Sequence, residues 1–435
     1  MPPKVLVIGL DGADPRLIDK WYDRLPNIRF IMENGLSGKL GSVNPPISAS
    51  AWTSFATGLN PGKTGIFDFV QRQASNYKLT VVRSTDLQCK TVWEILSAHG
   101  FSCGIMNVPV VSWPPQTVKG FVVSGMPDVR IATYPPELSA RLKQRGWVAD
   151  LPLVGKNDEQ IARELLSSME RRAEIGKGLL KEFNSEFAIL VFTETDRITH
   201  FLLSRRDDLV EAVYKRADEL IGELKDAYGP AVTIILSDHG CGPIAGTFLT
   251  NCWLLEKGFL FLEKPLNEPV SFEDAPIDWN KTRAFSYGEQ GKIHVNLGGR
   301  EPRGAVQSQD YELVLNELET ELARLEIQGR RFSVKTWRKD ALYSGPYLSK
   351  APDLVFQLDD GNYGTKSSLG HNAVVEPPKT WSADHSIDGI YAVIGAGIPS
   401  KKQDASIIDL APTILTQYGI TSDEMDGQSL TTRQS

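Results

Sequence analysis

The chain has 435 residues, of which 41% are hydrophobic and 23% are charged. These proportions are ordinary for a folded globular protein and argue against intrinsic disorder. The formal net charge of -7 at pH 7 argues against a nucleic-acid coat or a polybasic membrane patch, since both need excess lysine and arginine. An anionic substrate would therefore need a local cation, and bound metal is an obvious candidate.

The chain begins with a short apolar run and has no charged leader followed by a long apolar stretch. This run, VLVIGL at 5–10, is too short for a signal peptide or a membrane span. It is predicted to be a buried strand. We expect a cytoplasmic protein with no membrane partner.

Three further apolar runs lie at 187–192 (FAILVF), 232–237 (VTIILS) and 391–397 (YAVIGAG). Like the run at 5–10, they are short, rich in β-branched residues and apolar at consecutive positions. This pattern is typical of central strands in a parallel sheet that is covered on both faces.

Helical spacing of apolar residues appears at 157–183 and 207–229. Strands that alternate with such helices predict an α/β sandwich with a mostly parallel central sheet. The region from about 250 to 380 differs, because it is rich in glycine, aromatic residues and short β-like runs. We therefore predict a catalytic core formed by 1–250 and 380–435, and an inserted cap at 251–379 that contributes to the substrate pocket.

Two pairs of polar residues follow predicted strands, where an α/β sheet binds its ligands. Asp196 and His200 are four residues apart, so a helix would place them on one face. Aspartate and histidine together suit zinc, although this spacing often arises by chance. Asp238 and His239 follow the strand at 232–237 and precede glycines. The alternative for that pair is a turn capped by the aspartate.

Two single residues are weaker candidates. Asp11 follows the first strand and could simply cap the next helix. Its sequence, GLDG, lacks the glycine spacing of a dinucleotide site. His385 precedes the run at 391–397 and could be structural.

Hydroxyl residues cluster in the segment 44–69, NPPISASAWTSFATGLNPGKTGIFDF, before a helix-like stretch. A hydroxyl at a helix N-terminus lies near free N–H groups and the positive end of the helix dipole, which favours phosphate and an alkoxide nucleophile. Taken alone, Ser48 or Ser50 is better explained as only an N-cap. In combination the candidate ligands number six, enough for two three-ligand sites that each keep an open position, the catalytic pattern for zinc.

The order of these motifs resembles the alkaline-phosphatase superfamily, and most closely its type I phosphodiesterase and nucleotide-pyrophosphatase branch. The similar features are an early aspartate, a hydroxyl before ATGLNPGKTGI, a DxxxH motif, a DHG motif and a late histidine. The C-terminal IIDLAPTILTQYGI and EMDGQSL are also similar to the end of many members. The resemblance implies an alkaline-phosphatase-like fold and a small-molecule phosphate ester or nucleotide as substrate.

The resemblance also implies a mechanism. Ser48 would be the nucleophile and would form a covalent phosphoserine. Two divalent metal ions would be bound, with Zn²⁺ favoured by the ligand types and Mn²⁺ as the alternative. One ion would be held by Asp196, His200 and His385, and the other by Asp11, Asp238 and His239, with Ser48 bridging to it.

Two departures from the family pattern matter. Nucleotide pyrophosphatases have an asparagine that helps to hold a phosphate oxygen, and ungapped counting places Phe69 there. Lys63 is a possible substitute donor. The sulfatase branch needs xPxR after its modified residue, and ISASAW does not have it.

Other functions share these ligands. A phosphomonoesterase or phosphonate hydrolase would differ only around the phosphate oxygens, and a catalytically silent metal-stabilised scaffold would need no nucleophile. A cofactor-independent phosphoglycerate mutase needs a large inserted domain, for which 70–185 is too short. The remaining histidines and the aromatics that could stack a base are interpreted as bystanders and core residues: His99, His294, His371, Trp52, Phe69 and Tyr287.

Overall fold

Strands and helices alternate through the first half of the chain. The computed structural model describes residues 4–73, 75–288, 290–421 and 423–432. The strands are β1 Val5–Leu10, β2 Leu36–Gly41, β3 Val70–Arg72, β4 Leu79–Val81, β5 Cys103–Met106, β6 Gly120–Val123, β7 Thr133–Tyr134, β8 Phe187–Phe192, β9 Val232–Leu236, β10 Gly240–Pro243, β11 Gly246–Leu249, β12 Ala284–Phe285, β13 Lys292–Val295, β14 Glu326–Ile327, β15 Arg330–Arg331, β16 Val334–Arg338, β17 Leu354–Leu358, β18 Tyr363–Lys366, β19 Val375–Glu376, β20 Ala383–Ser386, β21 Asp388–Gly395, β22 Lys401–Lys402 and β23 Ala405–Ser406. The helices are α1 Pro15–Lys20, α2 Pro26–Asn34, α3 Ser48–Thr57, α4 Pro61–Thr64, α5 Val92–Ala98, α6 Leu138–Gln144, α7 Asp158–Glu182, α8 Glu194–Leu202, α9 Asp207–Tyr228, α10 Thr250–Glu256, α11 Tyr311–Ala323, α12 Lys339–Leu342 and α13 Leu410–Gln417.

The main sheet has the strand order β22-β2-β21-β9-β1-β8-β5-β6-β7, and β23 pairs beside β2. At its centre β1 runs parallel to β8 on one side and to β9 on the other. Strand β5 continues the parallel order, since it pairs in that sense with both β8 and β6. The predicted α/β architecture with a mostly parallel central sheet is confirmed, and the strands predicted at 5–10, 187–192 and 232–237 are neighbours within it.

The last predicted strand runs in the opposite direction. The run at 391–397 belongs to β21, which is antiparallel to both β9 and β2. The prediction of a parallel strand was therefore wrong. The physical reason is the connection: no helix crosses the sheet before β21, because the chain arrives through β20 at the edge where β9 ends.

Helices cover both faces of the main sheet, and the side chains of β1 alternate between them. Leu6, Ile8 and Leu10 pack into an apolar core with helices that include α7, α8 and α9. Val5 and Val7 point the other way, into a core with α3, α5 and α13. Burial on both faces removes apolar area from water on each side, at about 25 cal/mol per Å², which explains the continuous apolar runs.

The two long helices predicted from apolar spacing are confirmed as α7 and α9. Asn157 caps α7 by accepting a hydrogen bond from the Gln160 N–H, and the Gln160 side chain accepts one from the Asn157 N–H. Helix α9 ends at Gly229, which adopts a left-handed conformation with φ 61°. Within the described residues, none of the helices combines the length and apolar character needed to cross a lipid bilayer.

A second sheet has the order β12-β13-β17-β18-β11-β19, with β16 beside β17. It has an apolar core of its own, which includes Phe248, Phe285 and Leu354. Its strands lie between 246 and 376, close to the segment predicted as a cap at 251–379. The division of the chain into core and cap stays a prediction about domain organisation.

Candidate active site

Polar side chains meet at the edge of the main sheet where β1, β8 and β9 end. Asp11 directly follows β1, and Asp238 and His239 come just after β9. Helix α8 begins two residues after β8, with Asp196 in its first turn and His200 in its last. All five side chains are buried, so the carboxyl edge of the sheet carries a closed polar cluster, as the α/β architecture predicts.

His385 joins this cluster from the opposite direction. It lies in β20, which pairs antiparallel with β10 and places His385 opposite Cys241. Because β10 starts immediately after His239, this pairing brings His385 beside the end of β9. The structure therefore brings together all six side chains that the sequence singled out as ligands.

Two histidine rings face each other in the first part of the cluster. The Nε2 atoms of His200 and His385 are 2.9 Å apart, and Asp196 Oδ1 lies 3.2 Å from the first and 3.6 Å from the second. The Nδ1 atoms of these rings lie 2.8 Å from the Ala383 carbonyl and 2.7 Å from the Pro46 carbonyl. A carbonyl oxygen can only accept a hydrogen bond, so the Nδ1 atom beside it must carry the hydrogen. Each neutral ring therefore has its lone pair on Nε2. The two lone pairs repel unless a cation lies between them.

His239 is held in the same way in the second part of the cluster, which contains Asp11, Asp238 and Ser48. Its Nδ1 atom lies 2.9 Å from the Gly240 carbonyl, so its Nε2 also points its lone pair inward. This Nε2 is 3.3 Å from Asp238 Oδ2 and 3.8 Å from Asp11 Oδ1. Ser48 Oγ is 3.0 Å from the same Nε2 and 3.5 Å from Asp11 Oδ1. The hydroxyl of Ser48 is thus in direct contact with this group.

The cluster contains two overlapping sets of atoms suited to bind a metal ion. The ligand atoms within each set lie within 4.8 Å of one another, and the sets are Asp196, His200 and His385, and Asp11, Asp196 and His239. Asp196 belongs to both sets. Asp238, which was predicted as a ligand in the second set, is not a member of it, but its Oδ2 lies 3.3 Å from Nε2 of His239, which is a member. Asp196 Oδ1 and Asp238 Oδ2 are buried and have no hydrogen-bond partner among the residues that the structure describes. Buried orphan carboxylate oxygens are costly, and a cation would satisfy them.

Negative charge is concentrated in this buried cluster. Burial, and then the charges of Asp238 and Asp196, raise the pKa of Asp11 well above its usual range. Burial raises the pKa of Asp238 to about 7, against the hydrogen bond from the Gly12 N–H. Burial acts to lower the pKa of His385, but the nearby carboxylate of Asp196 raises it to about 10. All three shifts favour the protonated forms, so the cluster attracts positive charge, which suits a metal ion.

Two residues shape the space around the aspartates. Gly12 has φ 65°, and a Cβ atom there would lie 2.7 Å from Asp196 Oδ1, so only glycine allows the close approach of that carboxylate. Trp52 is buried and donates a hydrogen bond of 2.9 Å from Nε1 to Asp11 Oδ2. Trp52 therefore packs in the core, as interpreted from the sequence, and also orients Asp11.

Ser48 is the first residue of α3 and not its N-cap. The N-cap is Ile47, which makes no side-chain capping hydrogen bond, and the helix ends at Gly58 with φ 68°. The N–H groups in the first turn of a helix have no partner within the helix, and the dipole is positive there. The Ser48 hydroxyl therefore lies where an anion is favoured.

A cavity of ≈ 420 Å³ opens in front of the cluster. Ser48, Asp196, His200 and His385 contribute to its lining. The remaining lining is largely apolar on one side, where two valines are exposed, Val81 at 44% and Val129 at 90%. The apolar side is formed by Phe69, Val70, Val81, Met126, Pro127 and Val129.

Sequence reasoning missed Arg197, which also lines this cavity. Its Nε and Nη2 atoms donate to Asp150 at 3.1 and 2.6 Å, and its Nη1 atom has no hydrogen-bond partner among the described residues. The available signal was its position directly after Asp196, within the DxxxH motif. Lys63, the predicted donor, instead pairs with Asp426 and is not among the described residues that line the cavity, whereas Phe69 is.

The histidines interpreted as bystanders lie outside the cluster. His99 is exposed, with its Nδ1 atom 2.9 Å from the Ile95 carbonyl. His294 is buried in the second sheet, and its ring stacks on Tyr287 at 4.5 Å. Neither contributes to the lining of the cavity in front of Ser48.

Comparison with known proteins identifies a family for most of the chain. The family model described as "Type I phosphodiesterase / nucleotide pyrophosphatase" matches residues 5–386. No curated protein sequence matches the chain significantly.

Several solved structures have a similar fold. Murine ectonucleotide pyrophosphatase/phosphodiesterase 5 is 15% identical, with a TM-score of 0.60, over 98% of this chain and 97% of that one. Phosphonoacetate hydrolase from Sinorhizobium meliloti 1021, in complex with phosphonoformate, is 14% identical, with a TM-score of 0.64, over 94% of each chain. A mutant of the alkaline phosphatase PafA is 14% identical, with a TM-score of 0.63, over 99% of this chain and 98% of that one. At these identities the likeness shows a shared alkaline-phosphatase-like fold.

Proposed function

The chain belongs to the type I phosphodiesterase/nucleotide pyrophosphatase family of the alkaline-phosphatase superfamily, and we propose that it hydrolyses small phosphate diesters or nucleotide pyrophosphates through a phosphoserine at Ser48. The family makes it a hydrolase of the phosphodiesterase, pyrophosphatase or phosphatase kind. The observation that carries the finer proposal is the convergence of three histidine Nε2 atoms and three carboxylates in one cluster, which the Ser48 hydroxyl contacts through His239 and Asp11.

The donor set fits divalent metal ions. Each of the three rings is held by a backbone carbonyl at Nδ1, and buried carboxylate oxygens without partners face the Nε2 atoms. We propose that two ions bind here: one at Asp196, His200 and His385, the other at Asp11, Asp238 and His239. When bound, such ions would lower the pKa of the serine hydroxyl and neutralise charge on the phosphoryl oxygens. Zn²⁺ suits these ligands best, with Mn²⁺ as the alternative.

Ser48 supplies the nucleophile. Its Oγ atom forms the bond to phosphorus while the bond to the leaving oxygen breaks in line with it. The N-terminus of α3 stabilises the negative charge that develops next to Ser48. Water then hydrolyses the phosphoserine and regenerates the hydroxyl.

Arg197 supplies the donor that Phe69 cannot. Arg197 lines the cavity, and Asp150 accepts from its Nε and Nη2 in a bidentate pair that restricts the orientation of the guanidinium. A guanidinium fixed in this way can donate to a non-bridging phosphate oxygen with little further loss of side-chain entropy. We propose this role for Arg197 in place of Lys63.

The shape of the cavity favours a diester over a monoester. A monoester places only phosphate and one substituent near the nucleophile, whereas a diester has a second ester group that needs room and an apolar surface. The apolar side formed by Phe69, Val70 and Met126 offers both next to Ser48. A complex of an inactive variant of murine ectonucleotide pyrophosphatase/phosphodiesterase 5 with AMP supports a nucleotide as one substrate to test.

Metal-stripped protein tests the proposal directly. Hydrolysis of bis-p-nitrophenyl phosphate and p-nitrophenyl phosphate is measured before and after addition of Zn²⁺ or Mn²⁺. We expect metal to restore the activity, with the diester cleaved faster. A monoester preference would identify a phosphomonoesterase, and no activity with two metals bound would favour the silent scaffold. The cytoplasmic location stays a prediction from the sequence.

A further inference from the structure

A second group of potentially reactive side chains lies outside the cluster around Ser48. Ser368 Oγ is 2.9 Å from His371 Nε2, and His371 Nδ1 is 3.2 Å from Glu376 Oε1. All three line a separate cavity of ≈ 300 Å³. Trp381 lines both this cavity and the one in front of Ser48, so the two cavities are neighbours.

The contacts of His371 have the order of an acyl-transfer triad. The Glu376 carboxylate can only accept, so the hydrogen of a neutral imidazole lies on Nδ1. The lone pair on Nε2 then faces the Ser368 hydroxyl and can take its proton. A serine, a histidine and a carboxylate in this order form a base-activated nucleophile, and such triads recur on unrelated folds because geometry defines them.

The second sheet holds the acid and the nucleophile in place. Ser368 lies two residues after β18, and Glu376 ends β19, and both strands pair with β11 between them. The residue after the serine, Leu369, is fully buried and exchanges two backbone hydrogen bonds, of 2.9 and 3.0 Å, with Val270. The positions of Ser368 and Glu376 therefore depend on sheet pairing and burial, not on an unsupported loop.

Positive charge lines the same cavity. Lys379 Nζ is 2.8 Å from Glu376 Oε2, and that contact, together with the imidazole, holds the pKa of Glu376 below its usual value against burial. Lys366 lies with its ammonium 5.6 Å from the centre of the Trp381 ring. Asp384 also lines the cavity. Lys379 is engaged by Glu376, whereas Lys366 has no ion pair among the described residues, so Lys366 is the cation that favours a substrate with a negative charge.

We propose that Ser368, His371 and Glu376 form a second, metal-independent site that hydrolyses small anionic carboxylic esters. Ser368 Oγ attacks the ester carbonyl while its proton passes to His371 Nε2, and the resulting tetrahedral centre then collapses. The bond between the acyl carbon and the alcohol oxygen breaks, and the alcohol leaves with the proton that His371 Nε2 returns to it. Water adds to the acyl-serine by the same route and releases the acid. The reaction needs only the ester and water.

Ester hydrolysis in a variant without the Ser48 hydroxyl tests this proposal. The Ser48→Ala protein is treated with chelator and assayed with p-nitrophenyl acetate and with the monoester p-nitrophenyl succinate, which carries a carboxylate. It is also incubated with a fluorophosphonate probe, and the labelled peptide is identified by mass spectrometry. We expect ester hydrolysis that favours the succinate, and label on Ser368.

A second substitution in that background separates chemistry from structure. Ser48→Ala/Ser368→Ala should lose at least about tenfold in rate and all of the label, because the nucleophile and its base no longer act together. Ser48→Ala/Ser367→Ala is the matched control, since it removes the neighbouring hydroxyl, and it should keep both. Glu376→Gln preserves the size of the acid and its surface position, so it should fold normally and still lower the rate.

The proposal is overturned if the Ser368→Ala and Ser367→Ala proteins hydrolyse the esters equally, or if chelated Ser48→Ala protein shows no ester hydrolysis above buffer. Label found only on residues other than Ser368 overturns it as well. These outcomes do not depend on the phosphodiester reaction, because metal and Ser48 are both absent from the assay.

Discussion

The Nε2 atoms of His200 and His385 lie 2.9 Å apart, although one ring comes from α8 and the other from β20. The opposite nitrogen of each ring is held by a backbone carbonyl, of Ala383 and Pro46 respectively. Both Nε2 atoms are therefore directed at one point before any ion binds. Such a preorganised pair lowers the cost of binding a metal ion.

This relationship predicts the effect of His200→Ala on metal content. We expect bound zinc to fall from about two ions to about one per chain, and the zinc-induced rise in Tm to shrink, because a ligand to the folded state stabilises it by mass action. The measurements are metal analysis after dialysis and thermal unfolding with and without zinc. His99→Ala is the control, since His99 is exposed and far from the cluster in sequence and fold. Equal zinc content in the two variants would contradict the proposed site.

Ser48→Ala should abolish turnover of bis-p-nitrophenyl phosphate while both metal ions stay bound. The expected loss in rate is at least roughly a thousandfold, since a lost nucleophile removes the covalent route. Ser50→Ala is the matched control. Ser50 lies on the same helix, is equally buried and has an Oγ atom without a hydrogen-bond partner. Near-full activity in Ser48→Ala, or an equal loss in Ser50→Ala, would place the nucleophile elsewhere.

Arg197→Ala should lower kcat/KM for the diester by roughly a hundredfold, the usual effect of losing one donor to a developing oxyanion. Arg197→Lys should recover only part of the rate, because an ammonium cannot keep the bidentate pair with Asp150 and also donate into the cavity. Steady-state kinetics at saturating metal measure both. Arg205 forms an ion pair with Asp158 and is not among the described residues that line the cavity, so Arg205→Ala should leave the rate unchanged. If Arg197→Ala behaves like this control, Arg197 does not contact the substrate.

Gly12→Ala tests the close approach of Asp196 to the end of β1. A methyl group there would lie 2.7 Å from the Asp196 carboxylate, so we expect weaker zinc binding in addition to a loss of stability. Gly229→Ala is the control with a matched backbone, because φ is 61° at Gly229 and 65° at Gly12, both left-handed. Among the described residues, no atom lies within 4 Å of the methyl group that Gly229→Ala would add. Both variants should lose about 1 kcal/mol of stability from backbone strain, and only Gly12→Ala should lose metal affinity. Zinc titration followed by calorimetry distinguishes them.

Asp353→Asn should destabilise the protein in a way that depends on pH. Asp353 is fully buried, with oxygens 2.6 to 2.8 Å from donors on Arg300, Lys339 and Tyr311. Burial acts to raise its pKa, but the hydrogen bonds and charge of Arg300, together with the charge of Lys339, hold that pKa well below its usual range.

The sign of the effect follows from that lowered pKa. The stabilisation is complete above the pKa of an unfolded aspartate, about 3.9, and it is lost as the pH falls toward the folded pKa. At pH 7 we expect a loss of about 3 kcal/mol in the free energy of unfolding, because two cations lose a buried partner. The difference from the wild type should shrink below about pH 4. Urea unfolding across this range measures it, and Asp360→Asn, at an exposed pair with Lys335, should show almost no effect. A pH-independent difference would contradict the assigned pKa direction.

Local patterns were sufficient for most of the fold and for the six candidate ligands. Burial determines which residue types are favoured at each position, and its effect is visible in the local sequence. It is seen in the apolar runs at 5–10, 187–192 and 232–237, and in the helical spacing at 157–183 and 207–229. The ligands could be named because carboxylates and imidazoles follow the ends of those strands, and because their order resembles one superfamily.

Only the tertiary structure decided which of these groups touch and what else surrounds them. The direction of β21 depends on how β20 enters the sheet, and no local periodicity records that entry. Arg197 reaches the cavity, and Lys63 does not, because the packing of α8 and the pairing with Asp150 and Asp426 are long-range contacts. A sequence determines which residues are buried and which are polar, while the distances between distant segments depend on how the elements pack.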